Sequence, residues 1–405
     1  MKQQHWTLAL ASLGVISLGS MAYAEEIAMS QVLTAVSSTT LGGYVDTSVV
    51  WKPGTGNGGA ADGAMPGRFN DGSSKMDGFN MNVVGLTIER PLSEDLWAAG
   101  FRADLLFGPD AVGYNPVGGS DTELAIKQAY VNLMVPMGNG LELKMGVFNT
   151  IIGYESFESY LNPNYGRSYG WQIEPTQHTG LLASYQLSEA FAVNAGIANT
   201  WLWGVDARSP RAESFKSYMF SLDLTAPDSW GALSGSTWSA GVVTGDDLGS
   251  SKNTVSLYTG INLLTGLEGL SVGMAFDYRM NGPNVFTDAN FPDRSENWAY
   301  ALAGYLSFAA TEKLTLSARI DYLNGSDGTF YDAGGTWFDG TYFGSGVADT
   351  RNELFALTGT ADYALWANVL SRLELRWDTA LNGDKPYGIE DKNAFTVTGN
   401  VVFVF

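Results

Sequence analysis

The sequence predicts an all-β protein, a transmembrane antiparallel up-and-down β-barrel of about sixteen strands with long extracellular loops and short periplasmic turns. Three observations predict this fold. Apolar and polar residues alternate along many segments of about ten residues, as expected where one face of each strand meets lipid. Long and short connections between these segments also alternate. The last segment, Asn393 to Phe405, places Phe395, Phe403 and Phe405 on one face and ends on an aromatic residue.

The first residues have the features of a secretion signal. A basic residue and an apolar run of roughly 14 residues precede the small-x-small sequence Ala22-Tyr23-Ala24. Because a spanning helix needs about 20 apolar residues, residues 1–24 are expected to be a cleaved signal peptide. Residues 25–40 are expected to form a short periplasmic N-terminal segment, and residues 41–405 the transmembrane β-barrel. This organisation predicts export to the outer membrane of a Gram-negative bacterium.

Composition excludes several classes of function. The chain has no Cys and two His, and the formal net charge of −20 becomes −21 when the single Lys of residues 1–24 is removed. Without Cys there is no disulfide framework and no thiolate metal site. His5 leaves with the signal, so His178 has no His or Cys partner and is expected to be structural. No cofactor, metal or nucleic-acid partner is expected, since binding nucleic acid needs a basic face.

Strands are predicted wherever residues alternate between turn signals. The third is the clearest, since Trp97, Phe101 and Leu105 alternate with Arg102 and Asp104. Short Gly-, Pro- or Ser-containing turns alternate with long Gly/Asp/Asn-rich loops. The sixteen predicted strands occupy about 41–51, 78–90, 96–107, 122–135, 141–149, 178–187, 191–203, 213–226, 236–244, 253–263, 269–280, 297–309, 313–323, 353–365, 368–378 and 393–405.

The polar faces of several strands carry charges of both signs. A buried soluble core could not hold so many charges without a large desolvation cost, whereas a wet lumen can. A soluble sandwich with polar outer faces would also alternate, but it explains less well the aromatics near strand ends (Trp51, Trp97, Trp201), which suit interfacial girdles. The residues predicted to line a pore are Arg102, Asp104, Glu142, Lys144, Asp277, Arg279, Arg319, Asp321, Arg372, Glu374, Arg376 and Asp378.

The strand number itself carries a functional prediction. Barrels of 8 to 10 strands are filled by their own side chains, whereas about 16 to 18 strands leave an aqueous channel. The expected function is therefore passive diffusion of small hydrophilic solutes and ions. Asp46, Asp223 and Asp362 add acid to the predicted lumen face, so a weak preference for cations is expected.

The long connection after the fifth strand, about residues 150–177, is rich in aromatics for an exposed loop. It is expected to fold inward and constrict the pore, and the alternative is a packed extracellular loop. The residues predicted to act in a constriction are Tyr154, Glu155, Glu158, Arg167, Tyr169 and Glu174.

This region resembles a known family. The matching residues are Phe148, Ile152-Gly153-Tyr154-Glu155, Asn164-Tyr165, Arg167-Ser168-Tyr169, Pro175 and His178-Thr179-Gly180, with Ala129-Tyr130-Val131 in the preceding strand pair. They are similar to the signature segment of the putative β-barrel porin-2 family of Gram-negative outer-membrane proteins. A weaker resemblance extends from about Gly43 to Phe405. It implies the barrel and a porin role, and no particular solute.

No enzymatic activity is expected, and two rival functions are weighed against the channel. An enzymatic barrel would need a base beside a nucleophile, and only His178 is available, although an acid-pair mechanism has no such need. A plugged or narrow barrel could act as a receptor, adhesin or structural protein. The Gly/Asp/Asn-rich loops 52–77 and 324–352 invite a calcium site, but neither contains a D-x-[DN]-x-[DN]-G run.

Several partners follow from the barrel prediction. Outer-membrane lipid and lipopolysaccharide would surround it, and the insertion machinery would read the C-terminal Phe405. Sixteen-stranded porins often trimerise, so a homotrimer is one assembly to be expected. The small residues of the twelfth strand, Ala299, Ala301, Ala303 and Gly304, would then pack against a neighbouring subunit or against lipid.

Overall fold

The computed structural model describes residues 39–53, 77–93, 97–114, 123–201, 204–209, 212–246, 253–282, 297–327, 329, 351–387 and 392–405. The predicted signal peptide and nearly all of the N-terminal segment lie outside these residues. The strands are β1 (Thr40–Trp51), β2 (Gly78–Arg90), β3 (Ala99–Phe107), β4 (Leu124–Val135), β5 (Leu141–Asn149), β6 (Gln177–Gln186), β7 (Phe191–Ala198), β8 (Ser217–Thr225), β9 (Thr237–Gly245), β10 (Thr254–Leu264), β11 (Leu270–Asn281), β12 (Asn297–Ala309), β13 (Leu314–Asp327), β14 (Arg351–Trp366), β15 (Val369–Ala380) and β16 (Asn393–Val404).

These strands form one closed antiparallel barrel. Each pairs with its neighbours in sequence, and β1 pairs with β16 to complete the ring. The closing seam is regular, with Tyr44 opposite Val404. Gly43 and Phe405 exchange both backbone hydrogen bonds at 2.9 Å, so the C-terminal residue is part of the seam. The predicted up-and-down barrel and its strand number are confirmed.

The alternation in sequence becomes an inside and an outside. On β13, Leu316 and Ile320 are 46% and 53% exposed, whereas Arg319 and Asp321, the two neighbours of Ile320, are buried. The same pattern of exposed apolar and buried polar residues recurs around the ring. An outward apolar face next to lipid and a polar inner face are what a membrane-spanning barrel requires.

The end of β7 differs from the prediction. The strand stops at Ala198 rather than at 203. Trp201 does not belong to an interfacial girdle, because it is fully buried, with its ring stacked 4.2 Å from the guanidinium carbon of Arg279. Its backbone N–H donates to the carbonyl of Asp246 at 2.8 Å, which turns the chain inward. Trp51 and Trp97, by contrast, are well exposed.

Within the described part of the chain, helices occur only in connections between strands. The 3-10 helices found there span Pro109–Tyr114, Ser159–Leu161 and Asp228–Leu233. A short α-helix, α1 (Tyr169–Ile173), lies between β5 and β6, and the Oγ of Ser168 caps it by accepting from the backbone N–H of Trp171. Within the described residues, no helix has the length and apolar character to cross a bilayer.

The core lies inside the barrel, between the connection after β5 and the inner wall. Three buried apolar clusters form there, and each contains residues of that connection and of several strands. Ala299 and Ala301 of β12 face inward and pack in the same cluster as Tyr169 and Ile173 of the connection. The expectation that these alanines contact lipid or another subunit is therefore wrong. They are small because α1 lies against them.

Candidate functional site

The twelve residues predicted to line a pore all lie on the inner wall of the barrel. Ten of them are less than a tenth exposed, from Asp104 on β3 to Asp378 on β15. Arg102 and Lys144 are only half-buried. The polar inner face predicted by alternation is therefore present, but most of its charges are covered.

Charges of the inner wall are paired along and between strands. Arg319 binds Asp321 and Arg376 binds Asp378, each at 2.8 Å and two residues apart on the same strand. Arg372 forms an ion pair with Asp362 of the adjacent strand. Buried charges are costly unless they are paired and hydrogen-bonded, so this wall needs further partners for its remaining donors.

The connection between β5 and β6, residues 150–176, supplies those partners. We call it the inward loop. It starts at β5 and forms hydrogen bonds with β13, β14 and β15, about half the ring away. Because these bonds reach inward-facing side chains, the inward loop lies within the barrel and crosses it.

One anchor joins Arg319 of β13 to the inward loop. Its guanidinium donates to Glu155 Oε1 at 2.8 Å, to the carbonyl of Gly166 at 2.5 Å and to the carbonyl of Arg167 at 2.9 Å. Glu155 also accepts from the hydroxyl of Tyr305 at 3.1 Å and from the backbone N–H of Ser168 at 2.8 Å. Both charged partners are buried, so the pair is a bonded network rather than a surface ion pair.

A second anchor is Glu374 of β15. Its two carboxylate oxygens accept the backbone N–H groups of Tyr165 at 2.6 Å and Gly166 at 2.8 Å. The Thr360 hydroxyl donates to the same carboxylate at 2.9 Å, and also accepts from the Asn164 amide at 2.7 Å. The carboxylate thus holds two consecutive amides of the inward loop.

Two more arginines of β15 bind loop carbonyls. Arg372 donates to the carbonyls of Ser159 at 2.5 Å and Asn162 at 2.7 Å. Arg376 donates to the carbonyl of Arg167 at 2.6 Å. Most of these anchors therefore bind backbone groups of the inward loop. They fix the path of the loop backbone more than the positions of the loop side chains.

The inward loop is also attached near its own side of the barrel and at the seam. Lys127 of β4 forms an ion pair with Glu158, and the hydroxyl of Ser159 donates to Asp46 of β1. Asn400 of β16 donates to the same Asp46 at 2.6 Å. The inward loop is thereby bonded to β1 and β4 as well as to the opposite strands β13 to β15.

The return limb of the inward loop carries α1. The hydroxyl of Tyr169 donates to Asp378 at 2.9 Å, and Gly170 lies directly against the carboxylate of Asp277. Glu174 faces Asp277 across the same contact, and burial followed by the charge and hydrogen bond of Asp277 raises the pKa of Glu174 well above its ordinary value. Two buried carboxyls side by side cannot both ionise without a large cost, so the protonated form of Glu174 is favoured.

Each residue predicted to act in a constriction belongs to the inward loop. Five of them are less than a tenth exposed, and Glu158 is half-buried. The wet surroundings expected for the inner-wall charges are absent along β11 to β15, because the inward loop covers that wall. The physical reason is that its backbone polar groups satisfy the arginines and carboxylates there.

The inner-wall charges that keep exposure lie elsewhere. Arg102 and Glu89 are 34% and 26% exposed in their side chains. Lys144 of β5 and Asp223 of β8 are also half-buried. This part of the wall is the one that a solute in the barrel would meet.

Sequence reasoning missed several anchors. Lys127, Ser159 and Thr360 were not predicted to act, and Asn164 entered only through the family resemblance, yet each bonds the inward loop to the barrel wall. Lys127 is a charged residue on a face of β4 whose other residues are apolar or carry amides. That contrast was the one signal in the sequence for any of these four anchors. The others are common strand or loop residues, and their roles depend on contacts more than a hundred residues apart.

His178 has a structural setting. It is buried, with Nδ1 3.4 Å from the carbonyl of Thr200 and Nε2 3.2 Å from the hydroxyl of Thr150. Among the residues that the structure describes, no group of three or more His, Cys, Asp or Glu is arranged to hold a metal ion.

Comparison with solved structures shows what the fold is similar to. The chain is similar to an anion-selective porin from Comamonas acidovorans, with a TM-score of 0.59, 11% identity, and 91% of this chain and 99% of that one covered. It is similar to the outer-membrane channel DcaP of Acinetobacter baumannii, with a TM-score of 0.56, 11% identity and coverages of 91% and 97%. At such identities the likeness is one of fold, that of an outer-membrane porin barrel.

The family is shown by sequence. The model of the family described as putative beta-barrel porin-2, OmpL-like, matches residues 38–405, and the chain belongs to this family. The resemblance drawn from the residues around the inward loop is confirmed. No curated protein matches the chain in sequence.

Proposed function

We propose that this protein is an outer-membrane diffusion channel for small hydrophilic solutes and ions, narrowed by the inward loop. The observation that carries the proposal is a loop of some 27 residues (150–176) bonded from one side of a closed sixteen-strand barrel to the other. Sixteen strands enclose more space than wall side chains fill, so a single crossing loop reduces the lumen. Membership of a porin family supports the same function.

We further propose a weak preference for cations. The chain has a formal net charge of −20. Asp223 is half-buried and stays accessible on the inner face, whereas Asp46 is bonded to the inward loop and Asp362 is paired with Arg372. An acidic lumen raises the local concentration of cations. The similar porin of Comamonas acidovorans is described as anion-selective. Selectivity depends on lumen side chains rather than on the shared fold, so at 11% identity that property stays with the other protein.

Planar-bilayer recording of the refolded protein in a KCl gradient tests both proposals. Discrete, steady current steps are expected, with a reversal potential of the sign that a cation-preferring pore gives. A correctly folded barrel that gives no steps would contradict the channel. Steps with the opposite reversal potential would contradict only the cation preference.

A plugged or narrow barrel that acts as a receptor, adhesin or structural protein is the second candidate. The observation that favours it is the burial of Arg279, Arg319 and Asp378, which an open pore would wet. Under this alternative the extracellular connections would carry the function. A folded barrel without conductance, which binds a ligand through those connections, would support it.

Assembly and surroundings are proposals of the same kind. The lipid-exposed apolar band, with residues such as Leu316 and Ile320, supports contact with outer-membrane lipid and lipopolysaccharide. The placement of Phe405 in the closing seam supports its reading by the insertion machinery. A trimer form has been described for the similar outer-membrane protein OmpT of Vibrio cholerae, which is 10% identical. Size measurement in mild detergent would test a homotrimer here.

A further inference from the structure

A charged patch on the inner wall lies apart from the anchors of the inward loop. It is formed by Glu89, Arg102, Tyr130, Glu142 and Lys144, and we call it the β2–β5 patch. Glu89 is opposite Arg102 across β2 and β3, and Arg102 is opposite Tyr130 across β3 and β4. Glu142 and Lys144 lie two residues apart on β5. All five therefore lie in one band toward the periplasmic end of four adjacent strands.

Arg102 has a donor to spare in this patch. Its Nε donates to both oxygens of Asp104 at 3.0 Å, and its Nη1 to Glu89 Oε2 at 3.1 Å. No described residue accepts from Nη2. The side chain is 34% exposed, so this nitrogen can reach a solute in the lumen. The arginines of β13 and β15 differ, since they are buried beneath the inward loop.

Lys144 is a cation without a hydrogen-bonded acceptor among the described residues. Its Nζ lies 4.6 Å from the centre of the Tyr130 ring, a cation–π contact that leaves its three N–H donors unused. Gly146 makes this arrangement possible. A Cβ at 146 would lie 2.8 Å from the Tyr130 Cα, and the φ of +136° there suits glycine.

The patch also has acceptors to spare. Glu142 Oε1 accepts from the Asn132 amide at 3.0 Å, and Glu89 Oε2 accepts from Arg102. The second oxygen of each carboxylate accepts no bond from a described residue. Asp104, in contrast, is fully used, because Thr87, Gln128 and Arg102 all donate to it.

We propose that the β2–β5 patch is a binding subsite for small zwitterionic solutes of the amino-acid type. The solute carboxylate binds Lys144 Nζ and Arg102 Nη2, and the solute ammonium binds the second oxygen of Glu142 or Glu89. The proposal rests on the proposed channel function only for delivery, since the solute reaches the patch through the lumen.

Charge explains why a zwitterion fits better than a simple ion. With Asp104 included, three carboxylates face two cations, so a lone anion meets a net negative patch. A lone cation leaves the unused donors of Arg102 and Lys144 without an acceptor. A solute with both groups satisfies both sets, and charge-assisted hydrogen bonds are the stronger kind.

Saturation-transfer NMR on the detergent-solubilised barrel tests the subsite with three probes of similar size, namely free L-alanine, propionate and ethylammonium. L-alanine is expected to bind with a lower Kd than either single ion. Lys144→Met should raise the Kd for L-alanine by about fivefold or more, as losing one charged contact implies. The matched control is Lys313→Met, which removes an exposed lysine from the turn after β12.

Glu142→Gln separates the two halves of the site. It should weaken L-alanine binding and leave propionate binding unchanged or tighter, because only the ammonium partner is lost. Equal binding of all three probes, or equal Kd values for Lys144→Met and Lys313→Met, would overturn the proposal. The NMR signal does not need ion flow in a bilayer, so a barrel that binds L-alanine without conducting would contradict the channel and leave the subsite standing.

Discussion

Weakening the Glu374 anchor should loosen the inward loop and change the current through the channel. Glu374 accepts two consecutive backbone N–H groups, of Tyr165 and Gly166, and the hydroxyl of Thr360. In Glu374→Gln one oxygen remains as an acceptor, and the new NH₂ group faces the other backbone N–H. No ion pair joins Glu374 to a wall arginine in the described residues, so no buried cation loses a bonded partner.

The magnitude follows from the amide left without an acceptor. A buried donor that loses its partner costs about 1 to 3 kcal/mol. The ratio of docked to undocked loop should therefore fall about 5- to 150-fold. Single-channel recording should then show a larger mean conductance and larger current fluctuations than the unaltered protein.

The matched control is Glu353→Gln. It removes the same charge from adjacent β14, where Glu353 accepts from the Tyr322 hydroxyl at 2.7 Å. No hydrogen bond or ion pair among the described residues joins Glu353 to the inward loop. Mean conductance and noise in this variant should equal those of the unaltered protein. If Glu374→Gln behaved like Glu353→Gln, the carboxylate would not hold the inward loop, and the docking argument would be wrong.

Two further predictions concern protonation and stability. Burial raises the pKa of Glu174, and Asp277 raises it further, so the docked loop favours the protonated acid. Docking should therefore be strongest at acid pH and weaken as the pH rises through that pKa, with current noise increasing. Glu174→Gln should reduce this pH dependence, and a noise that falls with rising pH would contradict the assignment. Arg319→Met removes the guanidinium that pairs with buried Asp321 on the same strand. The loss should destabilise the folded state by about 3 to 5 kcal/mol. A lower unfolding temperature on a heat-modified gel would show this, whereas Arg208→Met at an exposed loop position should unfold like the unaltered protein.

The strands could be predicted because a membrane barrel obeys a local rule. Each residue faces either lipid or lumen, so β2, β5 and β12 could be bounded from alternation alone. The rule failed at Trp201, where alternation seemed to continue but the chain turns inward onto Arg279. An aromatic near a strand end carries no local sign of whether it meets lipid or a guanidinium.

The sequence predicted that the inward loop folds into the barrel, but it did not predict which wall residues the loop contacts. Its aromatics indicated packing, but Glu374 and Arg372 read as lining residues of a wet pore, whereas the structure uses them as anchors for backbone groups. Such bonds join residues about 210 positions apart and leave no periodic trace in sequence. The partly exposed β2–β5 patch could not be distinguished from the covered wall for the same reason.

An engineered disulfide tests most directly whether the barrel conducts while the inward loop is docked. A Cβ built at Gly170 lies 3.6 Å from the Cβ of Asp277, within the usual range for a disulfide. The chain has no Cys, so Gly170→Cys with Asp277→Cys introduces the only thiols. Oxidation would then fix α1 to β11.

Single-channel current should be recorded from this double variant before and after reduction. A docked constriction predicts that the oxidised channel conducts steadily and that reduction adds noise without restoring any lost current. An oxidised barrel that carries no current, and conducts only after reduction, would show that the inward loop is a plug that must leave, and would contradict a diffusion pore with the inward loop in place.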